Sequence, residues 1–390
     1  MPELKLPQAS LDITDVLAAL DKYKLCEWFD AQLKKRQPYF YSSVDIRNFG
    51  IKIAPVDTNI FPAGWNNLSD LAKKRAADSV RNYFATYYPE AKSVAVLAEN
   101  FSRNKFYWEN ISALQGILHD AGLNVKIYSD DSATATEVNI QHTDYDFVED
   151  VVIVNRDFTS GVPEKLQQLG KPVIPSPAMG WHTRRKTEHF DAYSKVASDF
   201  GAAFGIDPWL ISSYHENCGK VNFKEKQGLE CVALNIEKTL RRIRAKYAEY
   251  NITSEPYVYV KANSGTFGMG ITTVKSGDEI FEMNKKLRNK MDVIKEGVQN
   301  TEVIIQEGIP TIDKVDGKTA EPFVYLIGGL PVGAILRVNQ TRDEFGNLNS
   351  SGMEFEKAEC TEITGPCDFS PLGIIARLAA LATLDEDYKE

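Results

Sequence analysis

VYVKANSGTFGMGITTV, from Val258 to Val274, sets two short β-branched runs on either side of a stretch with three glycines, and Lys261 stands just ahead of it. Glycine-rich loops of this kind hold phosphates, and the element after the loop decides which kind it is. A Walker loop or a dinucleotide fingerprint continues into a helix, because the helix N-terminus takes part in holding the phosphate. Here GITTVK comes next, and its β-branched residues predict a second strand. The loop therefore reads as a hairpin tip: a flap over phosphates, with the backbone around Ser264, Gly265, Thr266, Gly268 and Gly270 supplying amide donors. Glycine permits the close approach and the positive φ that such a flap needs. Lys261, at the end of the first strand, can aim its ammonium at the same phosphates. An ordinary glycine-rich hairpin accounts equally for the loop taken alone.

The rest of the chain sets limits on the choice. Its 390 residues exceed one ordinary core and predict two or three domains. A hydrophobic content of 43% marks a folded chain, and a net charge of -9 argues against general nucleic-acid binding. The basic run around Arg241 lies on a segment with Leu229, Val232, Ile236, Leu240, Ile243 and Tyr247 at helical spacing, which predicts a solvated basic face. Cys26, Cys218, Cys231, Cys360 and Cys367 are odd in number and lack CxxC spacing, so reduced thiols are expected rather than disulfides or zinc. With no signal-peptide pattern at the start, and no apolar run long enough to span a bilayer, the expectation is a soluble, cytoplasmic protein.

Strand and helix signals alternate in the first part. Ser69 caps a predicted helix with Leu71, Ala76, Val80, Phe84 and Tyr87 on one face. SVAVLAE, NVKIYS, DVVIVN and KPVIP read as strands with helices between the first two and the last two, which implies a mostly parallel sheet. From about Pro177 the pattern changes to long helices and antiparallel pairs. Ser276 and Glu279 stand at capping-box spacing and predict a helix after the glycine hairpin. EVIIQEGI and FVYLIGGLPVGAILRVN then read as further strands.

A strand lysine, a glycine flap, a helix and a strand ending IIQEGI keep the order found in ATP-grasp enzymes. The resemblance narrows with VDIRNFGIKIAPVDTNIFPAGWNNL, SPAMGWHTRRKTEHF, VKANSGTFGMGITTV and NLNSSGMEF, which together resemble the proteobacterial family of ATP-grasp glutamate–cysteine ligases. The likeness runs roughly from Tyr39 to Phe355. It implies an α/β plus α+β chain: a Rossmann-like N-terminal domain over 1–176, then a two-lobed ATP-grasp domain over 177–390. It implies ATP as co-substrate, with Lys186 and Lys261 on the phosphates and Gln306, Glu307 and Ile309 as the hinge against the nucleotide. It also implies Mg2+ held in the GNLNSSG stretch. There the usual acidic residue is replaced by Asn347, paired with Asn349, so Asp343 or Glu344 is the candidate source of charge. The Asp-x-Arg pattern of such enzymes is absent too, with Glu321 and Phe323 in its place. A solvated lysine and a simple polar loop remain the alternatives for Lys186 and GNLNSSG.

The implied reaction is the ATP-dependent joining of L-glutamate and L-cysteine into γ-glutamylcysteine, with ADP and phosphate as products. A γ-glutamyl phosphate would form first, and Arg337 with Lys261 would stabilise the transferring group. Arg47, Asn59, Trp65 and Asn66 are the candidates for the glutamate site, though tight turns around a packed tryptophan explain that stretch as well. Partners are these small molecules, with no nucleic acid and no membrane; a homo-oligomer is left open. A glutathione synthetase, a non-catalytic ATP-binding regulator and a scaffold are the rival classes.

Overall fold

Residues 12–34, 36–99, 104–129, 139–265, 270–292, 299–358 and 369–386 are described by a computed structural model. The chain enters through two short helices, α1 (Ile13–Ala18) and α2 (Lys22–Leu33), capped by the side chains of Asp12 and Asp21. A hairpin of β1 (Tyr41–Asn48) and β2 (Ile53–Asn59) follows, and the stretch that reads as turn-rich begins within β2 and continues as turns to a 3-10 helix at Trp65–Asn67. Helix α3 (Asp70–Tyr87) begins where expected, with the Ser69 hydroxyl accepting from the Ala72 amide at 3.2 Å. Its buried face runs through Ala72, Ala76, Val80, Tyr83 and Phe84, one step round from the predicted one, so Leu71 is exposed.

The predicted parallel sheet is present. Strands β3 (Ser93–Ala98), β4 (Asn124–Ser129), β5 (Ile140–His142), β6 (Val151–Asn155) and β7 (Val173–Ile174) pair in the order β5-β4-β3-β6-β7, parallel throughout. Helix α4 (Lys105–Asp120) connects β3 to β4, and α5 (Glu164–Gln167) connects β6 to β7. Winding reverses between β3 and β6, the point at which open parallel sheets form a crevice.

Next come α6 (Lys186–Phe204), β8 (His215–Gly219), α7 (Leu229–Glu249), β9 (Val258–Ala262) and β10 (Ile271–Val274). Then follow α8 (Glu279–Glu282), α9 (Lys285–Asp292) and β11 (Glu302–Glu307). The glycine stretch does join an antiparallel pair, β9 and β10, in a sheet ordered β10-β9-β11-β8. All six apolar residues predicted on the basic helix are buried in α7. The helix expected after Ser276 is broken in two: Glu279 accepts from the amides of Lys275 and Ser276, then Asn284 accepts from the Leu287 amide at 2.9 Å and starts a second helix.

The C-terminal strands are β12 (Lys314–Val315), β13 (Lys318–Ile327), β14 (Leu330–Asn339) and β15 (Met353–Lys357), followed by α10 (Pro371–Ala382). Gly328 and Gly329, at φ 57° and 75°, make the tight turn between β13 and β14, a conformation that L side chains resist. This hairpin shares a sheet with the N-terminal one, in the order β15-β14-β13-β1-β2. The division expected at 176/177 is therefore not one that the sheets follow. Val44, Ile46, Val324, Leu326 and Ala334 turn one face of this sheet into a core with α10, α6 and α7, while Tyr41, Tyr325 and Ile335 turn the other towards α3 and α4. Each fully buried aliphatic or aromatic side chain contributes about 1.5–3 kcal/mol. Helix α10 is apolar almost all round, and all but its first two residues are buried in that core.

Cys26, Cys218 and Cys231 are not in disulfides; Cys360 and Cys367 lie outside the described residues. Among the described residues no helix is long and apolar enough to cross a membrane.

Candidate active site

The face of β1, β13 and β14 that packs on α3 at one end becomes charged at the other. Strand alternation puts Asp45 and Arg47 on the side away from Val44 and Ile46. Register then sets Glu321 opposite Arg337, and Asp45 opposite Asp57 on β2. The antiparallel sheet of β8 to β11 does the same: Val258 and Val260 pack in the core with α7, while Tyr259 and Lys261 point the other way. Between these two charged faces lies a solvent-open cleft with about 590 Å³ of empty space. Its walls hold Asp45, Arg47, Asp57, Lys186, Tyr259, Lys261, Ser264, Gly265, Glu321, Arg337, Asn347 and Asn349.

The two lysines are held differently. Lys186 donates to both oxygens of Asp57, at 2.7 and 2.8 Å, with its ammonium 4.5 Å from the centre of the Trp181 ring. Among the described residues Lys261 donates to neutral acceptors, the Val56 carbonyl at 3.1 Å and Gln306 Oε1 at 2.8 Å. Burial pushes the Lys261 ammonium down to about 8, against the pull of Asp57. Asn263, two residues beyond Lys261, clamps the start of α6: its carbonyl accepts from the Lys186 amide at 2.8 Å and its Oδ1 from the Thr187 amide at 3.0 Å. One short segment thus ties together the elements that carry both lysines.

Arg337 bridges two carboxylates through Nη1, at 2.7 Å to Asp45 and 2.6 Å to Glu321. Its buried Nε has no hydrogen-bond partner among the described residues. Burial would raise the Glu321 carboxyl, but Arg47 and Arg337 outweigh it and hold the group below the usual range. Asp57 is lowered in the same way by Lys186 and Lys261. Asp45 goes the other way: burial raises it despite Arg337, and Glu321 and Asp57 add to the rise.

Of the nucleotide candidates, Lys186, Lys261, Ser264 and Gly265 meet in the cleft. Gly265 has φ +92°, and Gly270, at φ +61°, accepts from the Ala262 amide beside it. Thr266 and Gly268 lie outside the described residues. None of the three hinge candidates, Gln306, Glu307 and Ile309, lines the cleft. The Glu307 carboxylate is buried against Lys52, at 2.8 Å, and takes the Trp209 indole and the Tyr214 amide. Gln306 joins Lys261 to Ser213, and the Ile309 carbonyl accepts from Arg47.

The metal and substrate candidates divide similarly. Asn347 and Asn349 line the cleft, whereas Asp343 and Glu344 are exposed and outside its lining, and the Asp343 carboxylate accepts from the Phe345 amide. The carboxylates that do line it are those of Asp45, Asp57 and Glu321. No group of three or more His, Cys, Asp or Glu arranged for a metal occurs among the described residues. Arg47 lines the cleft, yet its guanidinium is taken up by Glu321, the Tyr259 hydroxyl and the carbonyls of Ile309, Glu344 and Gly346. It therefore acts as a clamp between β1 and the loop after β14. Trp65 is corrected to a core residue, fully buried, with its indole N–H on the Pro62 carbonyl at 3.1 Å. Asn59 closes a turn on Phe61, and Asn66 contacts Asn67, so neither reaches the cleft. Sequence reading missed Asp45, Asp57, Tyr259 and Asn263. Period-two spacing of Asp45 and Arg47 was the available signal for the first.

A family model described as glutamate-cysteine ligase matches residues 16–386. Among solved structures, one described as a gamma-glutamylcysteine synthetase from Methylobacillus flagellatus KT is similar over 99% of this chain and 98% of that one, at 35% identity and a TM-score of 0.85. D-cycloserine synthetase DcsG is matched over 76% of this chain and 83% of that one, at 12% identity and a TM-score of 0.38. D-alanyl-alanine synthetase A from Vibrio cholerae is matched over 70% and 76%, at 11% identity and a TM-score of 0.30. No curated protein matches the chain.

Proposed function

The chain belongs to the glutamate–cysteine ligase family, whose members join glutamate to cysteine at the expense of ATP in glutathione biosynthesis, and from that premise we propose how its residues divide the work. A carboxylate is a poor acyl donor. The γ-carboxylate of glutamate attacks the γ-phosphorus of ATP, the bond to the β,γ-bridging oxygen breaks, and ADP leaves. The cysteine amine then adds to the γ-carbonyl, loses a proton and expels phosphate. No covalent enzyme nucleophile is required, and positioning with charge neutralisation carries the catalysis.

The observation that carries this reading is the convergence of Lys186, Lys261 and Arg337 on one cleft from three separate elements. Among the described residues Lys261 has neutral hydrogen-bond acceptors, so its protonated ammonium can turn to phosphate oxygens without first breaking a direct ion pair. The buried Nε of Arg337, without a partner among the described residues, is a donor for an anionic oxygen, the role of the transferring phosphoryl or the acylphosphate. Ser264 and Gly265, at the start of the glycine stretch, line the cleft, where their backbone would meet phosphate oxygens.

Magnesium fits the donor set. Asn347, Asn349, Asp45 and Glu321 offer only oxygen as ligand atoms, as this hard cation prefers, and one or two carboxylates suffice where phosphates complete the shell. Bound there, the ion would neutralise phosphate charge. We also read the parallel sheet of β3 to β7 as the Rossmann-like unit, the two antiparallel sheets as ATP-grasp lobes, and the cytoplasm as the compartment that suits its reduced thiols.

Glutamate labelled with 18O in its γ-carboxylate tests the mechanism. One labelled oxygen should appear in the released phosphate, with ADP as the nucleotide product. Unlabelled phosphate, or AMP formed in step with dipeptide, would overturn the acylphosphate route.

A further inference from the structure

The geometry points to Glu386, close to the C-terminus, as a positioning residue for the Lys186 phosphate contact. This rests on the reading of Lys186 as a phosphate ligand. The Glu386 carboxylate receives both arms of the Arg184 fork, Nε at 2.8 Å and Nη2 at 2.8 Å, and lies 2.7 Å from Nδ1 of His189. Arg184 precedes Lys186 by two residues and His189 follows it by three, so one C-terminal carboxylate grips both sides of the lysine. The third arm of Arg184, Nη1, donates to the carbonyl of Thr58 at 2.7 Å, directly after the Asp57 that holds Lys186. Arg184 and Lys186 also share the Trp181 ring, at 5.0 and 4.5 Å from its centre.

None of Arg184, His189 or Glu386 lines the cleft, so the trio does not serve the chemistry by touching substrate. Their side chains are 2%, 2% and 0% exposed. Burying such a group is costly unless the pairing is complete, and an apolar trio of similar volume would often pack at least as well. Helix α6 meanwhile begins without a side-chain cap of its own at Arg185. Its first turn is fixed instead by Asn263 on one side and by the Glu386 cluster on the other. Loss of the carboxylate frees Arg184, and with it Thr58 and the start of α6, in the places that set the direction of Lys186. A displacement of about 1 Å in such a group can cost on the order of 100-fold.

Full-length Glu386→Ala, Glu386→Gln, Lys186→Ala and Glu386→Ala/Lys186→Ala are to be compared. The readouts are equilibrium binding of a non-hydrolysable ATP analogue with magnesium and KM for each substrate. Glu386→Ala should weaken the analogue by about 10-fold or more and raise KM for ATP alike, with KM for glutamate and cysteine held within about twofold. Glu386→Gln, which keeps the shape and an acceptor oxygen, should recover part of the loss. In the Lys186→Ala background, Glu386→Ala should add nothing. A lowered Tm with unchanged analogue affinity would make the cluster a structural staple and overturn the inference. If Lys186→Ala itself binds the analogue normally, the phosphate reading falls first. Should Glu386→Ala not fold, the charge-free Arg184→Met/Glu386→Met variant decides in its place, by the same analogue affinity.

Discussion

Lys186 on α6 and Asp57 on β2 form a two-oxygen ion pair inside the cleft, at 2.7 and 2.8 Å. The pair keeps the lysine extended and in place, but it also neutralises a charge that ATP is to use, so phosphate has to compete with Asp57. The Asp57 side chain is 40% exposed, which keeps the pair weak, at most about 1 kcal/mol. Asp57→Asn should therefore tighten ATP binding by up to about fivefold, as measured by titration in the absence of amino acids. Weaker binding in that variant would make Asp57 a ligand of the magnesium–nucleotide complex rather than a competitor.

Lys261 gives the enzyme a pH dependence with a definite sign. Burial lowers its ammonium to about 8 in the ligand-free protein, and ATP binds the protonated form. KM for ATP should be flat below pH 8 and rise above it, approaching tenfold per pH unit. Lys261→Arg, whose guanidinium stays charged across this range, should remove the rise even where its affinity is lower. An identical alkaline limb in the variant would assign the titration to another group.

The loop after β14 separates cleft-facing amides from an outward carboxylate. Asn349→Ala should raise the magnesium concentration for half-maximal rate several-fold more than it raises KM for glutamate, because Asn349 lines the cleft. Asp343→Ala should leave the magnesium profile where it is, since Asp343 is exposed and accepts from the Phe345 amide. A magnesium shift in Asp343→Ala and none in Asn349→Ala would reverse the assignment.

The elements that the sequence made legible are those with a simple local pattern, either one wet face or an unbroken apolar run. The basic helix shows its six buried residues at helical spacing because its other side is solvated. The parallel strands show as short apolar runs bounded by turns. The hairpin of β1 and β2 was hidden because both of its faces are enclosed, one in the apolar core and the other in a charged cleft. Asp45, Lys52 and Asp57 were consequently not singled out and Arg47 read as a glutamate ligand, although Arg47 and Lys52 are buried and paired with acids some 250 residues away or more. The same long range hid the ion pair of Glu307, whose partner Lys52 lies in the first hairpin. Lys186, Lys261, Arg337 and Asn349, which line the cleft, could be singled out because local motifs carry them.

Trp65 illustrates the opposite error, a conspicuous residue with a structural job. It is fully buried against Tyr325 and Tyr41, with ring centres 4.9 and 5.9 Å away. Trp65→Ala should cost about 3–5 kcal/mol of stability, read by denaturant unfolding, while KM for glutamate stays unchanged in the folded fraction. A selective rise in that KM with normal stability would restore Trp65 to the substrate site.

Arg337 is the strongest test of the cleft, because two of its functions can be pulled apart. Through Nη1 it neutralises Asp45 and Glu321, a structural duty that any cation of similar reach could share. Through the buried Nε it offers a donor with no partner, and an unsatisfied buried N–H costs about 1–3 kcal/mol unless a ligand completes it. Arg337→Lys keeps the charge but loses the fork, so a single ammonium cannot serve both carboxylates and still present a donor to the phosphoryl oxygens. The expected result is a fall in kcat of about 100- to 1,000-fold, the usual loss for one preorganised donor, with KM for ATP nearly unchanged because Lys186 and Lys261 remain. Steady-state kinetics with Tm measured on the same preparation separate the two functions. A lowered Tm with kcat retained would reduce Arg337 to a bridge between carboxylates and leave the transferring group to the lysines alone.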